Sequence, residues 1–392
     1  MTLRVITAGE SHGPGLTCVV EGLPAGLELD PGAINADMAR RQLGHGRGGR
    51  MKIESDAVEI RSGVRHGRTL GSPVAVLVAN RDYANWEERM NPWPVEAEVE
   101  ESHLPRPGHA DLAGLQKYGF SDVRNVLERA SARETAARVA AGSLAKEFLR
   151  ALGVSVHSHV IQIASVAAPV SGELGREDFA GVDDSPVRCL DPGASEQMVA
   201  EIDRLRKENE SLGGKFEVRA FGLVPGLGSH VSWRQKLDGR LAQAVMAVQA
   251  IKGVEIGLGF EAARRRGSQV HDPIHYDASR KASPTLGYER PTNNAGGLEA
   301  GMTNGQPIII RAAKKPISTL RKPLDSINLD TKEPEAASYE RSDVCAISAA
   351  SVIVENVVAF EVAAALIDKF GGDSLQEMQA RHKLFLEMAA ER

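Results

Sequence analysis

Aromatic side chains are scarce, 4% of 392 residues. A nucleic-acid-binding surface wants interleaved aromatics and a pI above about 9. This chain has a pI near 6.2 and a formal net charge of -5, which excludes nucleic acid as its main partner. Cysteine is sparser still. Cys18, Cys189 and Cys345 are odd in number, far apart and outside any C-x-x-C, which excludes a disulfide framework and a thiolate metal site. No apolar run is expected to reach the ~18 residues of a membrane span, and Met1 to Gly9 lacks the basic start and apolar stretch of a signal peptide. The expectation is a cytoplasmic protein with no membrane partner. Serine- and glycine-rich linkers, charge blocks and low-complexity tracts are absent too. The length alone suggests two to three domains of ~150 residues, but without a linker the chain reads as one large α/β domain over residues 1–392.

What is present has readable periodicity. Strand-like segments run over Leu16 to Glu21, Met51 to Ile60, Pro73 to Val78, Val154 to Ile163, Phe216 to Val224, Val254 to Phe260 and Pro307 to Ala312. Several alternate apolar with polar residues, as half-solvated antiparallel strands do. Helices are clearest at Glu128 to Leu152, Ser195 to Asn209, Gln235 to Lys252 and Ala346 to Phe370, with a shorter one from about His109 through Tyr118. The first and last of the long four are rich in alanine and valine on most faces, so they belong between layers. Gly371-Gly372 stops the fourth, and Ser374 with Glu377 offers a capping box for a final helix.

Against the acidic background, residues Arg40 to Lys52 set five basic side chains and His45 among four glycines. Glycine admits close approach of backbone to a ligand, and arginine offers a planar fork for phosphate or carboxylate oxygens. The run reads as a pocket for a small polyanion, carried on a mobile loop. Gly44, Gly46 and Gly49 also match G-x-G-x-x-G, which should follow a strand and open a helix. Here a helical pattern precedes the glycines and a strand-like one follows, so the dinucleotide-fold reading fails.

Five further segments carry chemistry. Gly9-Glu10-Ser11-His12-Gly13-Pro14-Gly15 holds a hydroxyl and an imidazole on a glycine-rich turn, where histidine can act as acid or base. Arg106-Pro107-Gly108-His109-Ala110-Asp111 is a second basic loop, with His109 near a helix start that attracts anions and weakens proton binding. Glu128 to Thr135 opens the longest helix with small residues between Arg129 and Arg133. Helical ion pairs and a seat for a phosphate or flat ring are both open readings there. Arg311 to Thr319 follows a strand and ends in two hydroxyls, while Arg341-Ser342-Asp343 precedes the last apolar helix. Asp343 could cap that helix, pair with Arg341, or orient a base. The pairs His271/His275 and His157/His159 lack a third metal ligand, so no metal is expected.

Together Gly9 to Gly13, Gly46-Arg47-Gly48, Arg106 to Asp111, Arg129 to Thr135, Gly296-Gly297-Leu298-Glu299-Ala300-Gly301 and Arg341-Ser342-Asp343-Val344 resemble the chorismate synthase family, in its order, from residue 3 to about residue 380. The resemblance implies an α+β fold: a single-domain β-α-β sandwich in which two antiparallel sheets enclose four long central helices, assembled as a homotetramer. It implies a lyase that converts 5-enolpyruvylshikimate 3-phosphate to chorismate and phosphate by 1,4-anti elimination, with reduced FMN and no net redox change. The rivals it must displace are an NADPH-driven flavin reductase and a non-catalytic polyanion-binding protein.

The same resemblance implies residue roles. His12 stands where the family protonates reduced flavin, His109 where it protonates the departing phosphate, and Asp343 where an aspartate supports proton abstraction. Arg41, Arg47, Arg106, Arg133 and Arg341 match positions around the substrate's phosphate and two carboxylates, and Arg50 joins them on charge alone. Arg41 and Arg47 also fall where NADP contacts are assigned in the family, so NADPH is a possible electron source. For FMN the pattern falls on Arg129, Ala130, Ser131, Gln249, Ala250, Ala300, then Lys315, Pro316, Ile317, Ser318 and Thr319, with Arg341. Ala130 replaces a common serine and Ala300 a common glycine; the first leaves Ser131 as the hydroxyl there.

Overall fold

The structure, a computed structural model, describes residues 2–48, 55–169, 174–337 and 343–392. Near the N-terminus four strands form an antiparallel sheet in the order β1-β2-β6-β3: β1 (Arg4–Ala8), β2 (Gly15–Glu21), β3 (Glu59–Ile60) and β6 (Val74–Ala79). A two-residue hairpin, β4 (Val64–Arg65) with β5 (Arg68–Thr69), lies between β3 and β6 in sequence. Alternation decides which face is inward: Leu16, Cys18 and Val20 on β2 and Val74, Val76 and Val78 on β6 are all buried. A second antiparallel sheet has the order β10-β15-β9-β7-β8, from β7 (Ser155–Ile163), β8 (Val166–Ala167), β9 (Gly214–Phe221), β10 (Ile251–Ile256) and β15 (Ile308–Lys314). Short hairpins β11 (His275–Tyr276)/β12 (Tyr288–Glu289), β13 (Leu298–Glu299)/β14 (Met302–Thr303) and β16 (Asp325–Ile327)/β17 (Pro334–Ala336) complete the strands.

Helix α4 (Thr135–Ala151) packs on β1, β2 and β6, whereas α7 (Ile347–Phe370) packs on β7 and β9. The two helices also pack on each other, so they link the sheets through one apolar interior. Small residues set their spacing. Ala136, Ala137, Ala140, Ala141 and Ala145 on α4 are at most 2% exposed, and a Cβ at Gly142 would lie 2.4 Å from the Asn356 carbonyl oxygen of α7. Helix α1 (Pro31–Gln42) lies against both, and α6 (Leu237–Met246) against α7. Asp30 caps α1 through the Gly32 N–H, with Pro31 in the first turn, where a missing N–H costs nothing. Ser374 caps α8 (Leu375–Ala390) at the Glu377 N–H; Glu377 reaches back to the Asp373 N–H, one residue short of the reciprocal capping box.

Several expectations change. The helix expected over Glu128 to Leu152 is broken: α3 (Arg124–Ala130) ends at Ser131, whose ψ of 143° is extended, and a 3-10 turn at Ala132–Glu134 precedes α4. Ser131 turns its hydroxyl to the Arg133 N–H, the local bond that lets serine leave a helix. The longest helix is therefore α7, with 24 residues. The Ser195 to Asn209 helix begins at an Asp191 cap as α5 (Pro192–Lys207) and lies against β7 and β8. The helical pattern expected ahead of the glycine run, over Pro31 to Leu43, is α1, and it packs on both α4 and α7. The strand expected over Met51 to Ile60 is described only from residue 55 and pairs only at Glu59–Ile60; that expected at Val254 begins at Ile251 and gives way to a 3-10 turn at Gly259–Arg264. α7 is also long and apolar enough to cross a membrane by length and composition, contrary to the expectation for the chain, yet 94% of its most apolar window is buried inside the protein.

Gly142→Val tests the α4–α7 contact. Overpacking there is expected to lower stability by about 3 kcal/mol, read as a lower urea midpoint at unchanged slope.

Candidate functional site

The β1–β2 turn carries His12, and α3 holds it. Ser11 N–H donates to the Glu128 carbonyl (3.1 Å), and His12 N–H donates to Glu128 Oε2 (2.8 Å). His12 Nδ1 lies 2.9 and 3.0 Å from the two oxygens of the same carboxylate, and its ring stacks on Trp86 at 4.0 Å. Asn80 anchors the turn from below, its amide donating to the Glu10 and Gly13 carbonyls. Arg124 donates to Glu128 Oε1 at 2.9 Å. Burial works against the Glu128 charge, but the bonds from His12 and the charge of Arg124 prevail and hold its pKa below the usual range.

Behind this turn two buried arginines share one carboxylate. Asp56, fully enclosed, accepts from Arg41 at 3.0 Å and from Arg133 at 2.6 Å. Arg41 extends from α1 to the Thr135 hydroxyl and Ala132 carbonyl, at the start of α4, while Arg133 reaches Asn80 Oδ1. Burial, only partly offset by Asp56, lowers Arg41 to about 10. Both guanidiniums thus hold the loops together as well as lending positive charge.

The glycine-rich run is anchored where it is described. Arg40 and Arg41 belong to α1, and Arg40 pairs with Asp37, Asp183 and Glu355. Gly46 has φ +91°, and a Cβ there would lie 3.0 Å from that of Cys345; its carbonyl accepts the Val344 and Cys345 N–H groups. Gly48 N–H donates to Asp343 Oδ1 at 2.6 Å, and Arg47 pairs with Asp343 Oδ2 at 2.8 Å. Arg40 and Arg41 thus lie on a helix rather than a loop, while His45 bonds the Pro186 carbonyl and Asp203, and Gly46 and Gly48 bond the approach to α7. Arg50 and Arg341 lie outside the described residues.

A third group faces them from the other basic loop. Arg106 donates three bonds to buried Asp111, through its N–H, Nε and Nη2. His109 Nδ1 lies 3.1 Å from the Pro107 carbonyl, which accepts only, so Nδ1 carries a proton; Nε2 lies 3.3 Å from the Thr319 hydroxyl. Burial, then the charge of Arg106, lowers its pKa. Lys315 and Ser318 both bond the Gly108 carbonyl, at 2.6 and 3.1 Å. Between these loops a cleft of about 320 Å³ is lined by Pro107, Gly108, Ser211, Pro316, Ile317 and Ser318, among others.

The remaining positions link the groups. Arg129, partly exposed, donates to the Gly9 and Thr7 carbonyls, and Ser131 to the Ser11 hydroxyl. Ala130 is exposed beside them. Gln249 donates to Glu134 Oε2 at 3.1 Å, and its Oε1 is buried with no partner among the described residues. Ala250, at φ +67°, gives its carbonyl to Lys315 N–H, tying this corner to the His109 loop. Ala300, at φ +51° in the β13–β14 turn, precedes Gly301, whose carbonyl accepts the first N–H of α6, the helix leading to Gln249. Asp56, Asn80, Trp86, Asp111, Arg124, Glu128 and Glu134 were not expected as functional. Glu128 was legible as the i,i+4 partner of Arg124; Asp56 carried no local signal.

Arginines converging with two histidines, a carboxylate and hydroxyl-bearing loops define an enzyme class that binds a small polyanion and moves protons beside it. Comparison with known proteins narrows the class. A family model described as Chorismate synthase matches residues 3–367. The chain is 56% identical to the chorismate synthase of Symbiobacterium thermophilum over the whole of both chains, and 55% identical to that of Trichlorobacter lovleyi over 98% of each. A solved structure described as "Crystal Structure of Chorismate Synthase" superposes with a TM-score of 0.80 at 41% identity, covering 100% of this chain and 99% of that one. The chain belongs to the chorismate synthase family, and its activity is that lyase reaction, in the formation of aromatic amino acids.

Asp56→Asn keeps the shape and removes the charge shared by Arg41 and Arg133. Breaking a buried pair this way is expected to cost about 3 to 5 kcal/mol, measured by chemical denaturation. A loss below about 1 kcal/mol would show that the guanidiniums do not need it.

Proposed function

We propose that the site carries the elimination with reduced FMN as cofactor, and that its residues divide the work of binding and proton transfer as follows. The observation that carries this reading is the joining of the three groups: Ala250 bonds Lys315, Gln249 bonds Glu134 of the His12 side, and Arg41 feels the charges of Arg47 and Asp343. The cofactor fits here on a test internal to the protein. Gln249 Oε1 is a buried acceptor with no partner among the described residues, the kind of group a flavin N–H satisfies. Arg129, Ala130, Ser131, Gln249, Ala250, Ala300, Arg341 and the loop Lys315 to Thr319 would hold it. Reduced FMN, when bound, supplies an electron reversibly, which makes departure of phosphate from the ring possible without net oxidation.

The protein's own tasks follow from charge. Arg47, Arg106 and Arg133, with Arg41, and by family pattern or charge Arg341 and Arg50, are the cations offered to a substrate bearing one phosphate and two carboxylates; each charge-assisted bond contributes about 1.5 to 3 kcal/mol. His109, with Nδ1 bonded to the Pro107 carbonyl, presents Nε2 beside Thr319 as donor to the leaving phosphate. Its lowered pKa makes it mostly neutral at pH 7 in the free enzyme. A dianionic phosphate stabilises the imidazolium, so the proton arrives with the substrate. Asp343, held between Arg47 and the Gly48 N–H, is the carboxylate that supports removal of the ring proton. His12 donates a proton toward the flavin. Exposed apolar side chains, among them Ile6, Trp233 and Phe260 at 73 to 78% exposure, support assembly as a homotetramer of single-domain chains. NADPH as internal reductant is the second reading, resting on Arg41 and Arg47.

Anaerobic mixing with photoreduced FMN and the enolpyruvyl phosphate is expected to release phosphate and chorismate in equal amounts. NADPH oxidation with FMN alone would favour the reductase reading. His109→Ala is expected to lower kcat about 100-fold or more with little change in KM; equal losses in both would make it a binding group. Calorimetry at pH 7 in buffers of different ionisation enthalpy is expected to show proton uptake on substrate binding, absent in His109→Ala.

A further inference from the structure

The His12 side chain is constrained more tightly than a surface turn requires. Both oxygens of Glu128 lie within 3.0 Å of its Nδ1, the same carboxylate takes its backbone N–H, and the Glu128 carbonyl takes the preceding one. The Glu128 side chain is 3% exposed, so this contact is shielded from solvent. An ionised carboxylate only accepts, so the ring nitrogen facing it must carry hydrogen. Trp86 fixes the ring plane, stacked at 4.0 Å with 27° between planes, and is itself held by Asp82 at its indole N–H and by the Arg124 guanidinium 4.9 Å from its ring. We infer that Glu128 is a positioning residue of the reaction: it fixes the His12 imidazole as the Nδ1-protonated tautomer and leaves Nε2 as the nitrogen that takes up and delivers the proton.

This inference rests on the reading of His12 as a proton donor. The pairing acts twice. It removes the choice of tautomer and ring rotation before substrate binds, and it stabilises the imidazolium whenever Nε2 is protonated, as second-layer carboxylates do for other working histidines. Burial of Glu128 opposes its charge, but the His12 bonds and Arg124 keep its pKa low, so it stays acceptor-only across the neutral range. Other charges bear on the ring: Arg124 from α3, Asp82 and Arg89 around Trp86, and Glu10 within the turn.

The first test needs no variant. Nitrogen-15 NMR of histidine-labelled enzyme is expected to report Nδ1–H with unprotonated Nε2 for neutral His12; an Nε2–H tautomer overturns the inference. Glu128→Gln then removes the charge at constant shape. Because the amide can donate as well as accept, the share of the Nδ1–H tautomer is expected to fall, and kcat to drop about tenfold or more with KM changed less than about twofold. A tautomer ratio unchanged in Glu128→Gln, whatever its turnover, overturns the inference and leaves Glu128 a structural group. His12→Gln separates the two levels. Full turnover in that variant overturns the donor role itself, whereas lost turnover beside an Nε2–H tautomer in the parent enzyme overturns only the part assigned to Glu128.

Discussion

The close approach of α4 and α7 at Gly142 is the constraint from which the site follows. With a carbonyl of α7 where a Cβ would otherwise sit, the two helices approach as a pair, each already covering one sheet. Their N-terminal approaches then lie within reach of one residue. Arg41 bonds Thr135 at the start of α4 and feels the charge of Asp343 just before α7. Because α1 packs on both helices, the arginine it carries is delivered to that junction by packing rather than by loop chance.

Buried charge supplies the specificity that apolar packing lacks. Glu355 of α7 is 1% exposed and meets Arg40 of α1, Lys146 of α4 and Ser158 of β7. Burial alone would neutralise it, yet Arg40, Lys146 and Arg188 hold its pKa well below the usual range. Such a cluster adds little net stability over an apolar one, but it penalises any register in which its partners part. Asp56 does the same between Arg41 and Arg133. The arginines of the site are thus of two kinds, those committed to carboxylates within the fold and those at its mouth, such as Arg129. Local positive potential is set by both, while direct grip belongs to the second kind and to those whose partner a ligand replaces.

Proton chemistry is governed by acceptors. A carbonyl behind His109 and a carboxylate behind His12 each dictate which ring nitrogen carries hydrogen, and burial with the charge of Arg106 lowers the pKa of His109. Two histidines with different surroundings suit two different proton transfers.

Much of this was legible in one dimension. The alternation of β2 and β6, the apolar run of α7, the Ser374 cap and the glycine and arginine spacing of the motifs follow from short-range physics, since side-chain period and local hydrogen bonds are properties of neighbouring residues. The helix break at Ser131 was within reach of the same logic but hidden by a good helical composition on both sides. The sequence by itself determined the family and the residue types brought to the chemistry. Only the tertiary structure decided that Arg41 is buried and Arg40 tied to Glu355, that Asp56 and Glu128 partner residues 77 and 116 positions away, and which nitrogen of each histidine faces a fixed acceptor. Those outcomes depend on which carboxylate or carbonyl is brought within 3 Å by packing of distant segments, and no local pattern encodes that distance.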